Sequence, residues 1–396
     1  MKIAILTYWQ SDDNYGQLLQ CFALQHYLRK EGHDAYLVRY APLNNNVIIQ
    51  NKWILRLKNI KKYINPYYIF LERKIIIQQN IQEFQLSRNN AVVNKNRRFD
   101  EFRSKYLQQS ELLYTNIEKL RSNPPDADIY ICGSDQVWHD SIAFPNVAGW
   151  YLQFGNERTT RISYAASIGR NINTKEVNTF KMYLNSYNAI SLREKSACDY
   201  CKSIGFNNSK TVCDPSFLLS ANYYRDTFSI KEVASDPYVF FYTLNIRTKE
   251  EIFAEEILKE IDKLGWKIKT VSSSGYYTAR NIIKEGDNFY STIPEWLELI
   301  SNSKLVITTS FHGTVFSILM HKPFISIPLK GHFAKANDRI TNLLDILGLS
   351  YRIANNSEEI TKIISSDIDW DDVDVRIKQY ALTGKTFLKD VISSLT

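Results

Sequence analysis

The chain has 396 residues, of which 44% are hydrophobic and 23% charged, and its net charge is +7. This length exceeds what one hydrophobic core usually supports, so the composition predicts more than one globular domain. Apolar runs nowhere approach the roughly 18 to 20 residues of a membrane span, and the apolar start MKIAILTYW is short and lacks a signal-peptide cleavage site. We therefore expect a cytoplasmic protein.

The cysteine pattern argues against a disulfide framework and against a metal site. Five cysteines are an odd number in a long chain. Cys198 and Cys201 form one CxxC pair, but neither a second pair nor a histidine pair at zinc-ligand spacing accompanies it. We expect no bound metal.

Ten short apolar runs, separated by helical patterns, predict strands. Six of them begin near residues 2, 35, 128, 162, 189 and 210, and four begin near residues 238, 266, 304 and 323. Near-continuous apolar strands between helices are typical of parallel sheets covered on both faces. The pattern predicts an α/β fold with two Rossmann-like domains over residues 1–230 and 231–375. A terminal helix over 376–396 is expected to pack back on the first domain.

A helical and basic insertion is predicted within the first domain, over about residues 45–122. Residues 51–105 hold 13 Lys and Arg against four Asp and Glu. Within 52–64, apolar residues recur at helical spacing on one face: Trp53, Leu57, Ile60 and Ile64. Two interpretations stay open, a helix docked on the domain and peripheral attachment to an anionic membrane surface. No nucleic-acid-binding motif accompanies the charge, so nucleic acid is not expected as a partner.

Polar corners follow several predicted strands, which is where α/β proteins hold ligands. After the first strand come Asn14, Tyr15, Gly16 and Gln17. Asn14 is a candidate helix cap, and Gly16 allows the backbone to approach another group closely. Capping alone and ligand binding both explain this corner.

The sequence ICGSDQVWHD forms a second corner, which holds Ser134, Asp135 and Trp138. A carboxylate there can act as a general base, and an indole ring offers a platform for a sugar. The structural alternatives are an N-cap aspartate and a packed tryptophan.

Arg193 closes the strand AISLRE and precedes a helical pattern. A guanidinium in this place can bind a carboxylate or phosphate through two parallel hydrogen bonds. Pairing with Glu194 or Asp199 is the alternative.

The stretch TTSFHGTVFSIL, residues 308–319, leads from a strand through a polar corner into a helical pattern. A helix that begins near His312 directs free N–H groups at its surroundings and favours an anion there. Ser310 and Thr314 add hydroxyls, and Gly313 lacks a side chain that would block approach. His312 is then a proton donor or a phosphate ligand, and a packed histidine is the alternative.

Six blocks of the chain occur in the order and spacing of a known family. NYGQLLQCFALQHYL, ICGSDQVW, YAASIG, SLREKS, VCDPSFLL, and TTSFHG followed by PFISIP resemble the polysaccharide pyruvyl transferase family. The resemblance extends from residue 1 to about 350. It implies a two-domain arrangement like that of the GT-B glycosyltransferases, with phosphoenolpyruvate as donor and a saccharide, lipid-linked or free, as acceptor. Such a donor is consistent with the missing GxGxxG and GxxxxGK[ST] motifs.

The resemblance also implies roles for the corners. Family histidines and arginines that hold the donor correspond to His312, Arg193 and Arg339. The rest of the predicted donor side is Ser310, Phe311, Gly313 and Thr314. The predicted acceptor side is Asn14, Tyr15, Gly16, Gln17, Ser134 and Trp138. Asp135 and His312 are the expected base and acid.

The expected function is formation of a pyruvate ketal on two saccharide hydroxyls in surface or capsular polysaccharide biosynthesis. No cofactor besides the donor substrate is expected, and the inner face of the membrane is the expected place of work if the acceptor is lipid-linked. Two rival functions stay open on this fold. One is a GT-B glycosyltransferase that uses a nucleotide sugar, and the other is a non-catalytic saccharide-binding protein.

Overall fold

The computed structural model describes residues 1–42, 96–139, 146–169, 172–233, 235–246, 248–271 and 286–395, with the isolated residues 142, 144 and 283. The predicted basic helix over 52–64 lies outside these residues, so its membrane contact stays a prediction.

The first sheet has seven parallel strands in the order β3-β2-β1-β4-β5-β6-β7. Its strands are β1 (Lys2–Leu6), β2 (Asp34–Tyr40), β3 (Gln109–Tyr114), β4 (Ile129–Gly133), β5 (Thr160–Ala166), β6 (Ala189–Leu192) and β7 (Lys210–Thr211). Strands β4 and β5 are buried along their whole length, as apolar central strands require.

The second sheet has five parallel strands in the order β10-β9-β8-β11-β12. Its strands are β8 (Tyr238–Tyr242), β9 (Lys267–Val271), β10 (Asp287–Phe289), β11 (Leu305–Thr308) and β12 (Phe324–Ser326). In both sheets the strand order reverses beside the first strand, between β1 and β4 and between β8 and β11. Open α/β sheets hold ligands outside the carboxyl ends of strands at such a reversal.

Helices connect the strands and cover the sheets. In the first part of the chain they are α1 (Tyr15–Lys30), α2 (Phe99–Tyr106), α3 (Ile117–Ser122), α4 (Val147–Trp150), α5 (Val177–Leu184), α6 (Lys195–Ser203) and α7 (Ala221–Phe228). The others are α8 (Ala254–Leu264), α9 (Ile293–Ser301), α10 (Phe311–Leu319), α11 (Asn337–Ile346), α12 (Ser357–Ile364) and α13 (Trp370–Ser393). No helix of the described residues is long and apolar enough to cross a membrane.

The predicted fold class is confirmed, since both sheets are parallel and their strands alternate with helices. The predicted helical insertion over about residues 45–122 is wrong in its last part, because the edge strand β3 lies at Gln109–Tyr114. Most of β3 is half-buried or exposed, and Leu112 and Leu113 are exposed. A strand that buries so little gives no run of core positions to recognise.

Two elements bring the domains together. Tyr15, in the first turn of α1, stacks on Trp296 of α9 at a centroid distance of 5.2 Å, and its hydroxyl donates to the Ser291 carbonyl at 2.7 Å. The last helix, α13, packs on the first domain, where the Cys213 amide donates to Thr383 Oγ1 at 3.1 Å. The corners at the carboxyl ends of β1 and β11 therefore lie next to each other.

Candidate functional site

Strand β11 ends at the polar corner that begins α10. All four residues of β11 are buried, so the strand fixes where the corner lies. The Ser310 hydroxyl caps the helix by accepting the Gly313 amide at 3.3 Å. His312 follows in the first turn, where it is 7% exposed. The positive end of the α10 dipole therefore lies at the imidazole.

Gly16 of the first domain lies directly against His312 of the second. A Cβ atom added to Gly16 would be 2.1 Å from Nδ1 of His312 and 2.2 Å from its Cγ. No side chain fits at such distances, so glycine allows α1 to approach the ring. The group that the backbone of Gly16 approaches is the histidine.

A buried carboxylate, Asp214, joins the corners of both domains. Its Oδ2 accepts from Ser134 Oγ at 3.2 Å and from Arg193 Nη1 at 3.1 Å, and it lies 3.7 Å from His312 Nε2. Its Oδ1 accepts the Ser216 amide at 3.0 Å. Burial raises the pKa of Asp214, but His312, Arg193 and the Ser216 amide outweigh burial and hold this pKa well below its ordinary value. Asp214 is therefore an anion between two basic side chains.

Arg193 is held by two acidic partners and one aromatic ring. Its Nε donates to Glu194 Oε1 at 3.2 Å, its Nη1 donates to Asp214, and its guanidinium lies 4.8 Å from the Phe311 ring centroid. Burial lowers the pKa of Arg193, but Glu194, Asp214 and Asp135 raise it further, so the group stays charged. Among the described residues Nη2 has no hydrogen-bond partner. Pairing with Glu194 is confirmed, and binding of a carboxylate or phosphate by the remaining N–H groups stays a prediction.

A cavity of about 340 Å³ lies beside this cluster, between the two domains. The first domain contributes Gln136, Ser167 and Glu194 to its wall, and the second contributes Lys335 and Arg339. Arg339 also lies 5.6 Å from the Phe311 ring centroid, and burial together with the charge of Arg193 lowers its pKa. The second domain therefore contributes two cations and the carboxylate of Asp338 to the wall, and the first domain contributes the carboxylate of Glu194.

Asp135 occupies the turn after β4 in a left-handed conformation, with φ of 66°. Non-glycine residues adopt this conformation at a cost, and such strain is concentrated at functional sites. Its carboxylate accepts the Gln136 amide at 2.8 Å, and the side chain is half-buried. Its charge acts on both Arg193 and Arg339. Asp135 thus belongs to the cluster, and its role as a base stays a prediction.

The interpretation of Trp138 as a platform for a sugar is wrong. The ring is fully buried, stacks on Tyr151 at 5.4 Å and donates from Nε1 to the Trp150 carbonyl at 3.2 Å. The alternative interpretation, a tryptophan packed in the core, is confirmed. Tyr15 is likewise fully buried between the domains, and Ser134 is fully buried against Asp214. None of these three side chains is accessible to an acceptor.

Two predicted donor-side residues on α10 have packing roles in the structure. A Cβ on Gly313 would meet Thr308 Oγ1 at 2.3 Å, so this glycine makes room for its own strand. Thr314 is fully buried, and its hydroxyl donates to the Ser310 carbonyl at 3.1 Å. Phe311 instead contacts the two arginines through its ring.

Asn14 and Gln17 organise the corner that precedes α1. Asn14 caps the helix by accepting the Gln17 amide at 3.1 Å, so the capping alternative is confirmed. Gln17 in turn accepts the Ser11 amide at 3.0 Å. Both side chains are half-buried, and they are the predicted acceptor-side residues that keep some exposure.

The sequence pattern does not reveal how two buried acids, Asp214 and Glu194, take part in the cluster. Asp214 follows a short strand and precedes Pro215, which identifies it from sequence only as a cap. Glu194 was recognised only as a partner of Arg193, although its Oε2 is buried and has no hydrogen-bond partner in the described part of the chain.

The two parallel sheets and the site between them define a GT-B-like two-domain fold. Solved structures with this fold include a putative UDP-N-acetylglucosamine 2-epimerase from Listeria monocytogenes, which is 10% identical with a TM-score of 0.52 over 100% of this chain and 96% of that one. The UDP-GlcNAc 2-epimerase of Methanocaldococcus jannaschii, in complex with UDP-GlcNAc and UDP, is 13% identical with a TM-score of 0.51 over 99% and 100%. At such identities the similarity shows the fold alone.

The sequence pattern of one family, described as polysaccharide pyruvyl transferase, matches residues 14–331. The chain belongs to this family of transferases. A comparison with curated proteins gives no match.

Proposed function

We propose that this protein transfers the pyruvyl group of phosphoenolpyruvate to two hydroxyls of a saccharide and so forms a pyruvate ketal of a surface polysaccharide. One observation carries the proposal. A buried arginine of the first domain and a histidine at a helix N-terminus of the second flank one carboxylate, beside a cavity with two further cations.

The charges of this site suit a small donor with a carboxylate and a phosphate. Arg193 Nη2 and His312 Nε2 are buried and have no hydrogen-bond partner among the described residues. Lys335 and Arg339 line the adjacent cavity. Cationic groups and a helix N-terminus in a water-poor site bind carboxylate and phosphate oxygens through short, strong hydrogen bonds.

The proposed reaction has two steps. In the first step a saccharide hydroxyl adds to C2 of the donor and loses its proton, while C3 gains a proton and becomes a methyl group. In the second step phosphate leaves with the electron pair of its C–O bond, a second hydroxyl bonds to C2, and its proton is released. The product is a cyclic ketal, and the by-product is inorganic phosphate.

Three residues receive roles in this scheme. His312 protonates C3 or binds the phosphate, since its Nε2 is the free nitrogen of a ring at a helix N-terminus. Arg193 donates one hydrogen bond from Nη2 to the donor carboxylate. Asp135 accepts the proton of the attacking hydroxyl from its place at the carboxyl end of β4.

The test is incubation of the purified protein with phosphoenolpyruvate and a panel of synthetic and lipid-linked saccharides. Release of phosphate that depends on one saccharide supports the proposal, and H312A serves as the inactive control. Parallel reactions contain nucleotide sugars instead. Transfer of a sugar from one of these, with none from phosphoenolpyruvate, would favour a glycosyltransferase. Binding of saccharide without turnover of either donor would favour a binding protein.

For the basic segment 51–105 we further propose weak contact with an anionic membrane, where a lipid-linked acceptor would be presented. Its support is the local excess of positive charge in the sequence. Binding to anionic vesicles should fall with salt and with K58E/K61E/K62E, with turnover of a soluble saccharide unchanged. Equal binding to neutral vesicles would contradict this contact.

A further inference from the structure

Asp214 is a fully buried carboxylate at the place where the two domains meet. Its neighbours come from four segments of the chain. Ser134 follows β4, Arg193 follows β6, Ser216 lies in the turn after β7, and His312 lies in α10. Because no part of Asp214 is exposed, it does not reach a substrate, and its effect must pass through these neighbours.

The hydrogen bonds of Asp214 come from the first domain, and its charge reaches the second. Ser134, Arg193 and Ser216 donate to its oxygens at 3.0 to 3.2 Å. His312 Nε2 lies at 3.7 Å, which is an ion-pair distance and too long for a hydrogen bond. Nε2 of His312 therefore keeps its hydrogen-bonding capacity for a ligand.

Other charged groups around His312 come from both domains. Arg193 and Arg339 contact the Phe311 ring, which lies 5.1 Å from the His312 ring. Glu194 pairs with Arg193, and Asp135 acts on both arginines. Helix α1 approaches the ring with Gly16 and has no acidic residue in its first turn. Asp214 is thus the carboxylate in ion-pair contact with both basic side chains.

We propose that Asp214 is a positioning residue of the donor site, which fixes Arg193 of the first domain opposite His312 of the second. The inference rests on the proposed function and deepens it. Without Asp214, Arg193 would lose the partner that orients Nη2. With it, Arg193 Nη2 and His312 Nε2, which have no hydrogen-bond partner among the described residues, are presented to one anionic donor.

The first test needs no turnover. In D214N the shape is kept and the charge that holds Arg193 is lost, so the affinity for phosphoenolpyruvate, measured by calorimetry, should fall by at least about tenfold relative to the unsubstituted protein. S134A removes a neutral hydrogen bond to the same oxygen and is the matched control, with a smaller loss of affinity. Unchanged affinity in D214N would overturn the proposal.

The second test uses turnover. D214N should lower kcat/KM for phosphoenolpyruvate by about 100-fold and leave KM for the saccharide unchanged. A raised KM for the saccharide as well would reduce Asp214 to a structural residue. Absence of turnover in the unsubstituted protein, together with weaker binding of phosphoenolpyruvate in D214N, would overturn the proposed function and leave the positioning of Arg193 by Asp214 intact.

If D214N does not fold, R193Q/D214N replaces it, since this variant leaves no buried guanidinium without its acid. Donor affinity, measured by calorimetry with phosphoenolpyruvate, should then equal that of R193Q alone, because Asp214 acts through Arg193. A further loss of about tenfold or more in the double variant would mean that Asp214 acts apart from Arg193, which contradicts the proposal.

Discussion

The close approach of Gly16 to His312 predicts how the variant G16A changes stability and turnover. In G16A the new Cβ would lie 2.1 to 2.5 Å from Nδ1, Cγ and Cβ of His312, whereas ordinary contacts begin near 3.4 Å. The ring or α1 must therefore move by about 1 Å. Overpacking of this kind costs about 1–3 kcal/mol, partly offset by about 0.5–1 kcal/mol because alanine favours the helix. A displacement of about 1 Å at a reacting group lowers turnover by about 100-fold.

The assay combines kcat/KM for phosphoenolpyruvate with the free energy of unfolding in denaturant. Activity should fall by about 100-fold, and the loss of stability should be small. H312G removes all three clashing atoms, so adding G16A to H312G should cost no stability beyond that of H312G alone. Near-normal turnover of G16A, or the same loss of stability in both backgrounds, would refute the assignment of this contact.

Three further predictions concern buried residues of the site. R193K should raise KM for the donor at least about tenfold, because an ammonium cannot keep the bonds to Asp214 and Glu194 and still orient a third nitrogen; an unchanged KM would refute this role. W138F should lower the free energy of unfolding by about 1–3 kcal/mol without changing KM for the saccharide, and a raised KM would restore the sugar platform. The pKa of Asp214 is lowered in the folded protein, so the stability that its charge contributes should be fully present above pH 3.8 and lost as the pH falls further. The free energies of unfolding of the unsubstituted protein and D214N, measured in denaturant, should therefore converge only in acid.

The sequence was sufficient to predict the elements whose burial is continuous. Apolar runs such as Ile129–Gly133 match strands, because a central parallel strand buries both faces. Asn14 was recognisable as a helix cap from local chemistry, since a cap depends on the next three residues only. The missed strands β3 and β10 are short and partly exposed, which leaves no run of core positions.

The sequence predicted which residues of the candidate site follow the ends of strands, but it did not predict which groups these residues contact. His312 and Arg193 follow strands, and strand ends meet at one edge of a sheet whatever the details of packing. The direction of a side chain at such a corner depends on tertiary packing. An indole fits a sugar and a core equally well, so sequence alone did not place Trp138 beneath Tyr151. Likewise, nothing local to Asp214 shows that it joins a histidine 98 positions later.

The central claim is that the protein forms a pyruvate ketal at this site, and the product of a reaction in D₂O tests it most directly. With phosphoenolpyruvate and an accepted saccharide, mass spectrometry and NMR should show a product heavier by pyruvate minus water, with one deuterium in a new methyl group and with phosphate released in equal amount. H312A should give none of it. A product that keeps the vinyl group of the donor, or one that has gained a sugar from a nucleotide sugar instead, would contradict the account.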